Sequence, residues 1–242
     1  MNASASPLAL AEQFQRDGFV VLENFLAHAD LDPVNAALDE HWRTATAAGE
    51  ADAQKAAFAH IKCEVLLWWD ADRENPAVDA LYRHPALAQA TDEILGPGYD
   101  RLHTLIAYSL PGGTGQAWHQ DCRAKDPAKF NVNRLVYTQH TTREDGAVVV
   151  VPGSHKLDLP VGGEQDDLPG QVIICPTAGT VVFLHGRCFH RVLPNRSARR
   201  RVSVNFRVKS PGTSENILYR PVYRHMTLDE REKFNAHFPQ TD

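Results

Sequence analysis

The part of the chain that decides the fold lies at residues 201–208, which read RVSVNFRV. Apolar residues alternate there with polar or charged ones, as in a β-strand with one apolar face and one polar face. Such a polar face usually meets solvent, but a barrel that holds a ligand can turn its polar face inward. Arg201 and Arg207 share this face, and an inward arginine favours a planar carboxylate partner.

Short strands separated by turn-forming sequences surround this segment. The turns include residues 111–113 (PGG) and 144–146 (EDG). The predicted strands cover residues 19–22, 102–110, 135–140, 147–151, 171–175 and 180–184. Apart from residues 19–22, these strands all begin after residue 100, and together they predict an antiparallel barrel.

Helix signals dominate the first 100 residues. Helix starts are indicated at Ser6-Pro7, Asp32-Pro33, Asn75-Pro76 and Pro85, and helix ends at Gly18 and Gly96. Thr227 and Glu230 form a capping box that predicts a last helix over residues 227–238. This helix could pair with a second chain, but a single amphipathic stretch favours packing on its own barrel.

Helices followed by short strands favour a mainly β fold with N-terminal helices, a jelly-roll or cupin-like barrel braced by α-helices. We expect a single domain over residues 1–242, with a helical part at residues 1–100, a barrel at residues 101–210 and the C-terminal helix.

Composition excludes several classes of protein. The chain has 242 residues, 43% of them hydrophobic, and a net charge of -5, which argues against a nucleic-acid-binding surface. No apolar run is long enough to span a bilayer, and residues 1–10 lack the features of a secretory signal. The cysteines are far apart and form no CxxC pair, which favours a reduced, cytoplasmic protein: Cys63, Cys122, Cys175 and Cys188.

A metal site is indicated at Trp118-His119-Gln120-Asp121. On an extended strand His119 and Asp121 point to the same side, and a histidine from another strand would complete a set of two histidines and one carboxylate. That facial arrangement is typical of non-haem Fe(II) oxygenases. Taken alone, the tripeptide is weak evidence, because a chain with 12 histidines and 30 acidic residues can contain it by chance in a polar loop.

Further motifs strengthen the metal-site interpretation. They are, in order, Arg16-Asp17-Gly18-Phe19-Val20-Val21, His119-Gln120-Asp121, Asp145-Gly146 leading to Val151-Pro152-Gly153-Ser154-His155-Lys156, and His190 followed by Pro194-Asn195-Arg196-Ser197 and Arg201. Together they resemble the phytanoyl-CoA dioxygenase family of Fe(II)/2-oxoglutarate oxygenases over roughly residues 14–208.

The resemblance implies a double-stranded β-helix fold with iron held by His119, Asp121 and His190. It also implies that Arg201, which follows His190 at the family spacing, pairs with the C5 carboxylate of 2-oxoglutarate, with O2 as oxidant. His185 is a competing distal ligand, but only His190 has that spacing. In halogenating relatives a small residue replaces the aspartate, so Asp121 favours hydroxylation or a related oxidation.

Further expectations concern the rest of the pocket. By resemblance, Thr104 and Tyr108 face the pocket, Tyr137 packs on 2-oxoglutarate and Lys62 reaches it. The alternatives are a core tyrosine and a solvated lysine. Arg196, Arg199 and Arg200 are interpreted as surface charge.

The substrate is expected to be a small metabolite or natural product. Arg123, Lys125 and Arg207 are candidates for binding an anionic group on it, or form a solvated face. Trp68-Trp69 is interpreted as one core residue and one lid residue, with Trp68 the candidate substrate contact; residues 157–170 are a second candidate lid.

Two other classes remain open. A non-oxidative cupin, an isomerase or hydrolase using Zn or Mn, would leave Arg201 idle, whereas a silent ligand-binding member would have a damaged triad. We expect a monomer or homodimer.

Overall fold

The computed structural model describes residues 7–58, 65–122, 128–157 and 166–213. Within these residues the helices are α1 Pro7–Asp17, α2 His28–Ala47, α3 Glu50–Phe58, α4 Ala71–Glu74, α5 Pro76–Tyr82 and α6 Pro85–Leu95, with a 3-10 turn at Ser154–Lys156. The strands are β1 Phe19–Leu22, β2 Val65–Trp69, β3 Asp100–Ser109, β4 Gln116–His119, β5 Asn131–Val136, β6 Val148–Val150, β7 Val172–Ile174, β8 Val181–His185, β9 His190–Val192 and β10 Arg201–Lys209. No helix in these ranges is both long and apolar enough to cross a bilayer.

Two antiparallel sheets form the barrel. The larger sheet has the strand order β1-β8-β5-β10-β3-β2, and the smaller sheet has the order β4-β9-β6-β7. Side chains of both sheets line one cavity between them. The jelly-roll prediction, with helices placed before the barrel, is therefore confirmed.

Strand β10 separates the helix-packed core from the cavity. Val202, Val204, Phe206 and Val208 belong to the core cluster that includes Leu31 and Leu38 of α2 and Leu87 of α6. The alternate residues Arg201, Ser203, Asn205 and Arg207 line the cavity. The alternation in the sequence predicts one apolar and one polar face. The polar face could meet solvent or point into the barrel, and in the structure it points into the barrel.

Residues 17–18 pack against the turn at residues 152–155, and we call this contact the Gly18–His155 joint. Gly18 has φ 81, and a Cβ added there would lie 2.5 Å from Nδ1 of His155. Its carbonyl accepts from the His185 amide at 2.8 Å, and the Gly153 amide donates to the Asp17 carbonyl at 2.7 Å. Only glycine satisfies both the backbone and the space. The turn therefore ties α1 and β1 to the barrel.

Two boundaries differ from the prediction. Helix α2 begins at His28, not at Pro33, because its N-cap Ala27 offers no side-chain capping bond for a sequence pattern to detect. Strand β5 spans 131–136 where 135–140 is predicted, because its first residues, Asn131, Asn133 and Arg134, are polar although buried. Strand β9 has only three residues and is absent from the predicted set. The predicted helix at 227–238 lies outside the described residues.

A pair of buried histidines makes stability depend on pH. His185 stacks on Phe130 and lies 5.0 Å from His155, centroid to centroid. Burial, then the charges of His155 and Arg187, lower the pKa of His185 to about 3, and burial also lowers the pKa of His155. Both rings are therefore neutral in the folded protein at pH 7, whereas in the unfolded chain they protonate near pH 6.5.

We expect the free energy of unfolding to have its full value above pH 6.5 and to fall as the pH drops. Below pH 6.5 the unfolded chain binds protons at these histidines that the folded protein does not bind. As the pH falls below 6.5 toward the folded-state pKa of about 3, the slope from His185 approaches about 1.4 kcal/mol per pH unit, and the lowered pKa of His155 acts in the same direction. Urea unfolding of the apo-protein between pH 7.5 and 5.0 measures it. His185→Phe reduces the slope, and His28→Phe, at the exposed start of α2, keeps it. An unchanged slope in His185→Phe would contradict this account.

Candidate metal centre and co-substrate pocket

The cavity between the sheets has a volume of about 140 Å³. Strands β4 and β9 form one wall, and β5, β10, β3 and β2 form the other. Its polar lining consists of Ser109, Gln116, His119, Asp121, Asn133, Tyr137, His190, Arg201, Ser203, Asn205 and Arg207.

Three of these side chains can hold a metal ion. His119 pairs directly with His190 across β4 and β9, and Asp121 follows two residues after His119. One ligand atom from each of the three lies within 4.8 Å of the others, and all three residues are buried. Among the described residues, no other group of three or more histidine, cysteine or acidic side chains is placed to hold a metal ion.

Backbone carbonyls orient both imidazoles toward that point. Nδ1 of His119 lies 2.8 Å from the Ala117 carbonyl, and Nδ1 of His190 lies 2.9 Å from the Cys188 carbonyl. A ring that donates through Nδ1 carries its lone pair on Nε2, so each histidine presents Nε2 as a metal ligand. Burial, then His190, lower the pKa of His119 to about 4, which keeps this ring neutral at pH 7.

Asp121 is ionised although it is buried. Burial opposes its ionisation, but the charge of Arg207 outweighs burial and holds the pKa of Asp121 well below the usual range. Oδ2 accepts from Asn133 Nδ2 at 2.7 Å and from Arg207 Nη2 at 2.9 Å. These two donors bind the same oxygen, which leaves Oδ1 as the oxygen available to a metal.

A second amide holds Asn133 in turn. Asn205 Nδ2 donates to Asn133 Oδ1 at 3.0 Å, so Asn133 can only direct its own amide group toward Asp121. Strand register explains the arrangement, because Arg207 is directly opposite Asn133 on β10 and β5. Two imidazoles that present Nε2 and one oriented carboxylate fit a divalent iron ion.

The far end of the cavity fits the 2-oxo acid. Arg201 is buried at the start of β10, and Tyr137 lies beside it with no exposed surface. Within the described part of the chain, Arg201 Nε and Tyr137 Oη are buried without a hydrogen-bond partner. Burial raises the pKa of Tyr137, opposed by the charge of Arg201, so the hydroxyl stays protonated. Two unsatisfied donors at one place need an acceptor such as a carboxylate.

The expectation that Thr104 and Tyr108 face the pocket is wrong. Both are fully buried on the opposite face of β3, where Thr104 pairs with Phe206 and Tyr108 pairs with Val202. The hydroxyl of Tyr108 donates to the Leu38 carbonyl at 3.1 Å, within the helix-packed core. The cavity-facing residues of β3 are Leu105, Ala107 and Ser109.

Trp68 is the core residue of its pair, so its assignment as the substrate contact is also wrong. Its ring stacks on His41 at 4.2 Å, and its Nε1 donates to Glu74 at 2.7 Å. Trp69 lines the cavity and is 43% exposed. No polar residue interrupts the five residues of β2 to show which face is which, so the sequence carried no signal for choosing Trp69.

The described end of the second candidate lid lies outside the barrel. The indole of Trp118 donates to the Asp166 carbonyl at 2.7 Å, and Arg191 forms an ion pair with Asp167. Trp118 and Arg191 neighbour the two histidine ligands but occupy the outward faces of β4 and β9, where Leu168 packs. Asp166–Leu168 therefore braces the ligand strands from behind and does not close the cavity.

The remaining candidates divide as follows. Lys62, Arg123 and Lys125 lie outside the described residues. Arg207 lines the cavity, but it donates to Asp121, so its first role is toward that carboxylate. His185 packs against His155 and Phe130 and does not line the cavity, as the spacing argument for His190 predicts.

Comparison with known proteins places this geometry in a family. The family model for phytanoyl-CoA dioxygenase (PhyH) matches residues 14–203. The dioxygenase trt7 of Aspergillus terreus is 25% identical over 211 residues, which cover 81% of this chain and 71% of that protein. The ectoine dioxygenase of Nocardia farcinica is 27% identical over 157 residues, covering 62% of this chain and 51% of that protein.

A solved structure shows the same fold. HygX from Streptomyces hygroscopicus, crystallised with nickel and 2-oxoglutarate bound, superposes with a TM-score of 0.67 at 15% identity. The superposition covers 84% of this chain and 88% of HygX.

Asn133 can be tested through metal affinity. We expect Asn133→Ala to weaken binding of Ni(II) about 10-fold, because Asp121 loses a donor that fixes its orientation. Asn205→Ala acts through Asn133 and should have a smaller effect. Isothermal titration without 2-oxoglutarate measures both, and Ser203→Ala, on the same face of β10, is the matched control. Equal affinities for Asn133→Ala and Ser203→Ala would show that the amide does not orient the carboxylate.

Proposed function

The chain belongs to the phytanoyl-CoA dioxygenase family and is an Fe(II)/2-oxoglutarate-dependent oxygenase, and we propose that His119, Asp121 and His190 hold its iron. With 2-oxoglutarate bound, iron supplies the chemistry by which O2 oxidises the substrate while 2-oxoglutarate becomes succinate and CO2. We propose hydroxylation as the outcome, since Asp121 provides a carboxylate where halogenating relatives have a small residue.

The observation that carries the site assignment is the convergence of three buried ligand atoms within 4.8 Å in a cavity that also contains Arg201. His119 and His190 act as neutral donors, and Asp121 supplies the negative charge that offsets a divalent ion. The barrel wall excludes bulk water from these residues, which strengthens every charge interaction among them.

Arg201 and Tyr137 orient the co-substrate in this proposal. The guanidinium binds the distal carboxylate of 2-oxoglutarate, and the Tyr137 hydroxyl donates to the same group. In a non-oxidative cupin these buried donors would have no ligand to satisfy them. Their unsatisfied state therefore supports the oxygenase over that alternative.

The substrate is a small molecule in this proposal. A structure of HygX was determined with hygromycin B bound, and a structure of the epimerase SnoN was determined in complex with nogalamycin RO. We predict a single domain, a cytoplasmic location and a monomer or homodimer, as the sequence indicates. Among the described residues, Cys122, Cys175 and Cys188 form no disulfide.

Arg201→Gln tests the co-substrate assignment. We expect the affinity for 2-oxoglutarate to fall about 10- to 100-fold, because a charged hydrogen-bonding partner of the carboxylate is lost. Ni(II) affinity should not change, since Arg201 donates to none of the three ligands.

Isothermal titration of 2-oxoglutarate into the Ni(II) protein gives the affinity, and succinate formation by the Fe(II) protein gives the KM. Arg196→Gln, at an exposed arginine, is the matched control. Unchanged 2-oxoglutarate affinity in Arg201→Gln would reassign the carboxylate partner to Lys62 or Arg207.

A further inference from the structure

The cavity has a second wall that neither the metal nor the co-substrate uses. Five apolar side chains form it, from edge strand β2 and the adjacent strand β3: Val65, Leu67, Trp69, Leu105 and Ala107. Register makes this wall continuous, because Trp69 lies opposite Leu105 and Leu67 lies opposite Ala107. We call these five residues the apolar wall.

The apolar wall lies beside the row of polar residues on β10. Strand β3 lies between β10 and β2, and neighbouring strands are about 4.8 Å apart, so the wall begins about 5 Å to the side of the polar row of β10 and ends about 10 Å from it. Along β2 it extends over residues 65–69, about 13 Å. These dimensions match the face of a small ring system.

One residue of the apolar wall reaches the open end of the cavity. Trp69 is 43% exposed, one of two large hydrophobic side chains exposed among the described residues. Its ring lies 5.5 Å from that of His103, centroid to centroid, at 49°. A tryptophan at the open end of an apolar cavity wall is typical of a small-molecule site.

Charge limits what can bind there. The five residues of the apolar wall carry no ionisable group, and the acidic and basic side chains of the described lining lie on other elements: Asp121 after β4, and Arg201 and Arg207 on β10. Burial, then Arg207, lower the pKa of His103 to about 4, so the ring beside Trp69 is neutral at pH 7. An anionic or strongly polar group against this wall would lose its hydration without gaining a partner.

We infer that the substrate presents a neutral, apolar ring face to the wall of Val65, Leu67, Trp69, Leu105 and Ala107, with Trp69 stacked on it at the open end. This inference rests on the proposed function, since it assigns the substrate class of the same cavity. It replaces the expectation that Arg207 binds an anionic group of the substrate. The ring face fixes the substrate laterally, and the carbon to be oxidised extends toward His119 and His190.

The test uses probes of one size and different polarity. The protein is loaded with Zn(II), which is diamagnetic, and 2-oxoglutarate, and its four tryptophans are labelled as 5-fluorotryptophan. Fluorine NMR follows the Trp69 resonance, assigned with Trp69→Phe, during titration with 2-naphthol, 2-naphthoate or myo-inositol. We expect 2-naphthol to shift this resonance saturably, 2-naphthoate to bind about 10-fold more weakly because its charge is desolvated, and myo-inositol to have no effect.

Two variants separate stacking from general affinity. Trp69→Ala and Leu67→Gln should each weaken 2-naphthol binding about 10-fold, measured by saturation-transfer NMR on the probe. Trp68→Phe, which changes the core residue next to Trp69, should leave it unchanged. Equal binding of myo-inositol or 2-naphthoate, no binding of 2-naphthol, or full 2-naphthol affinity in both wall variants would overturn the inference.

The same samples keep the two proposals distinguishable. Trp69→Ala and Leu67→Gln should bind Zn(II) and 2-oxoglutarate as the parent protein does, because neither residue belongs to that part of the cavity. Failure of the parent protein to bind 2-oxoglutarate would reject the proposed co-substrate site. Saturable 2-naphthol binding that depends on Trp69 would still support the apolar wall in that case.

Discussion

The buried carboxylate of Asp121 is the constraint on which the rest of the site depends. An anion that is only 4% exposed is stable only if its surroundings offset the loss of water. Asp121 follows β4 of the smaller sheet, and the two donors to its Oδ2, Asn133 on β5 and Arg207 on β10, come from the larger sheet. These partners come from different strands, so the carboxylate is satisfied only when both sheets are in register. The same partners leave one oxygen and two imidazole nitrogens directed at a common point.

Strand periodicity lets one sheet carry both a core and a polar site. On β10 the even-numbered residues pack under the helices, while the odd-numbered residues carry Arg201, Asn205 and Arg207 into the cavity. A shift of one residue in register would place four polar side chains, Arg201, Ser203, Asn205 and Arg207, in the core and expose the apolar ones to the ligands. The Gly18–His155 joint ties β1 to β8, and residues 166–168 contact Trp118 and Arg191, which neighbour the histidine ligands but face away from the cavity.

The sequence predicted the fold and the candidate ligand set because both leave local patterns. His119 and Asp121 are two residues apart, and RVSVNFRV at 201–208 alternates strictly. The phase of β2 and β3 could not be predicted, because their helix side and their cavity side are both largely apolar. Because of that ambiguity, Thr104, Tyr108 and Trp68 were assigned to the cavity side, whereas they face the helix-packed core. The start of β5 was missed because its first residues are polar, although the strand is buried. Asn133, for example, is buried because it donates to Asp121.

Anaerobic crystals containing Fe(II) and 2-oxoglutarate test the central claim most directly, through anomalous diffraction at the iron absorption edge. The account predicts one iron peak bonded to Nε2 of His119, Nε2 of His190 and Oδ1 of Asp121, with Oδ2 still bound by Asn133 and Arg207. It also predicts the distal carboxylate of 2-oxoglutarate in hydrogen-bonding contact with Arg201. An iron peak elsewhere, such as at His155 and His185, or a distal carboxylate bound by other residues, would contradict it.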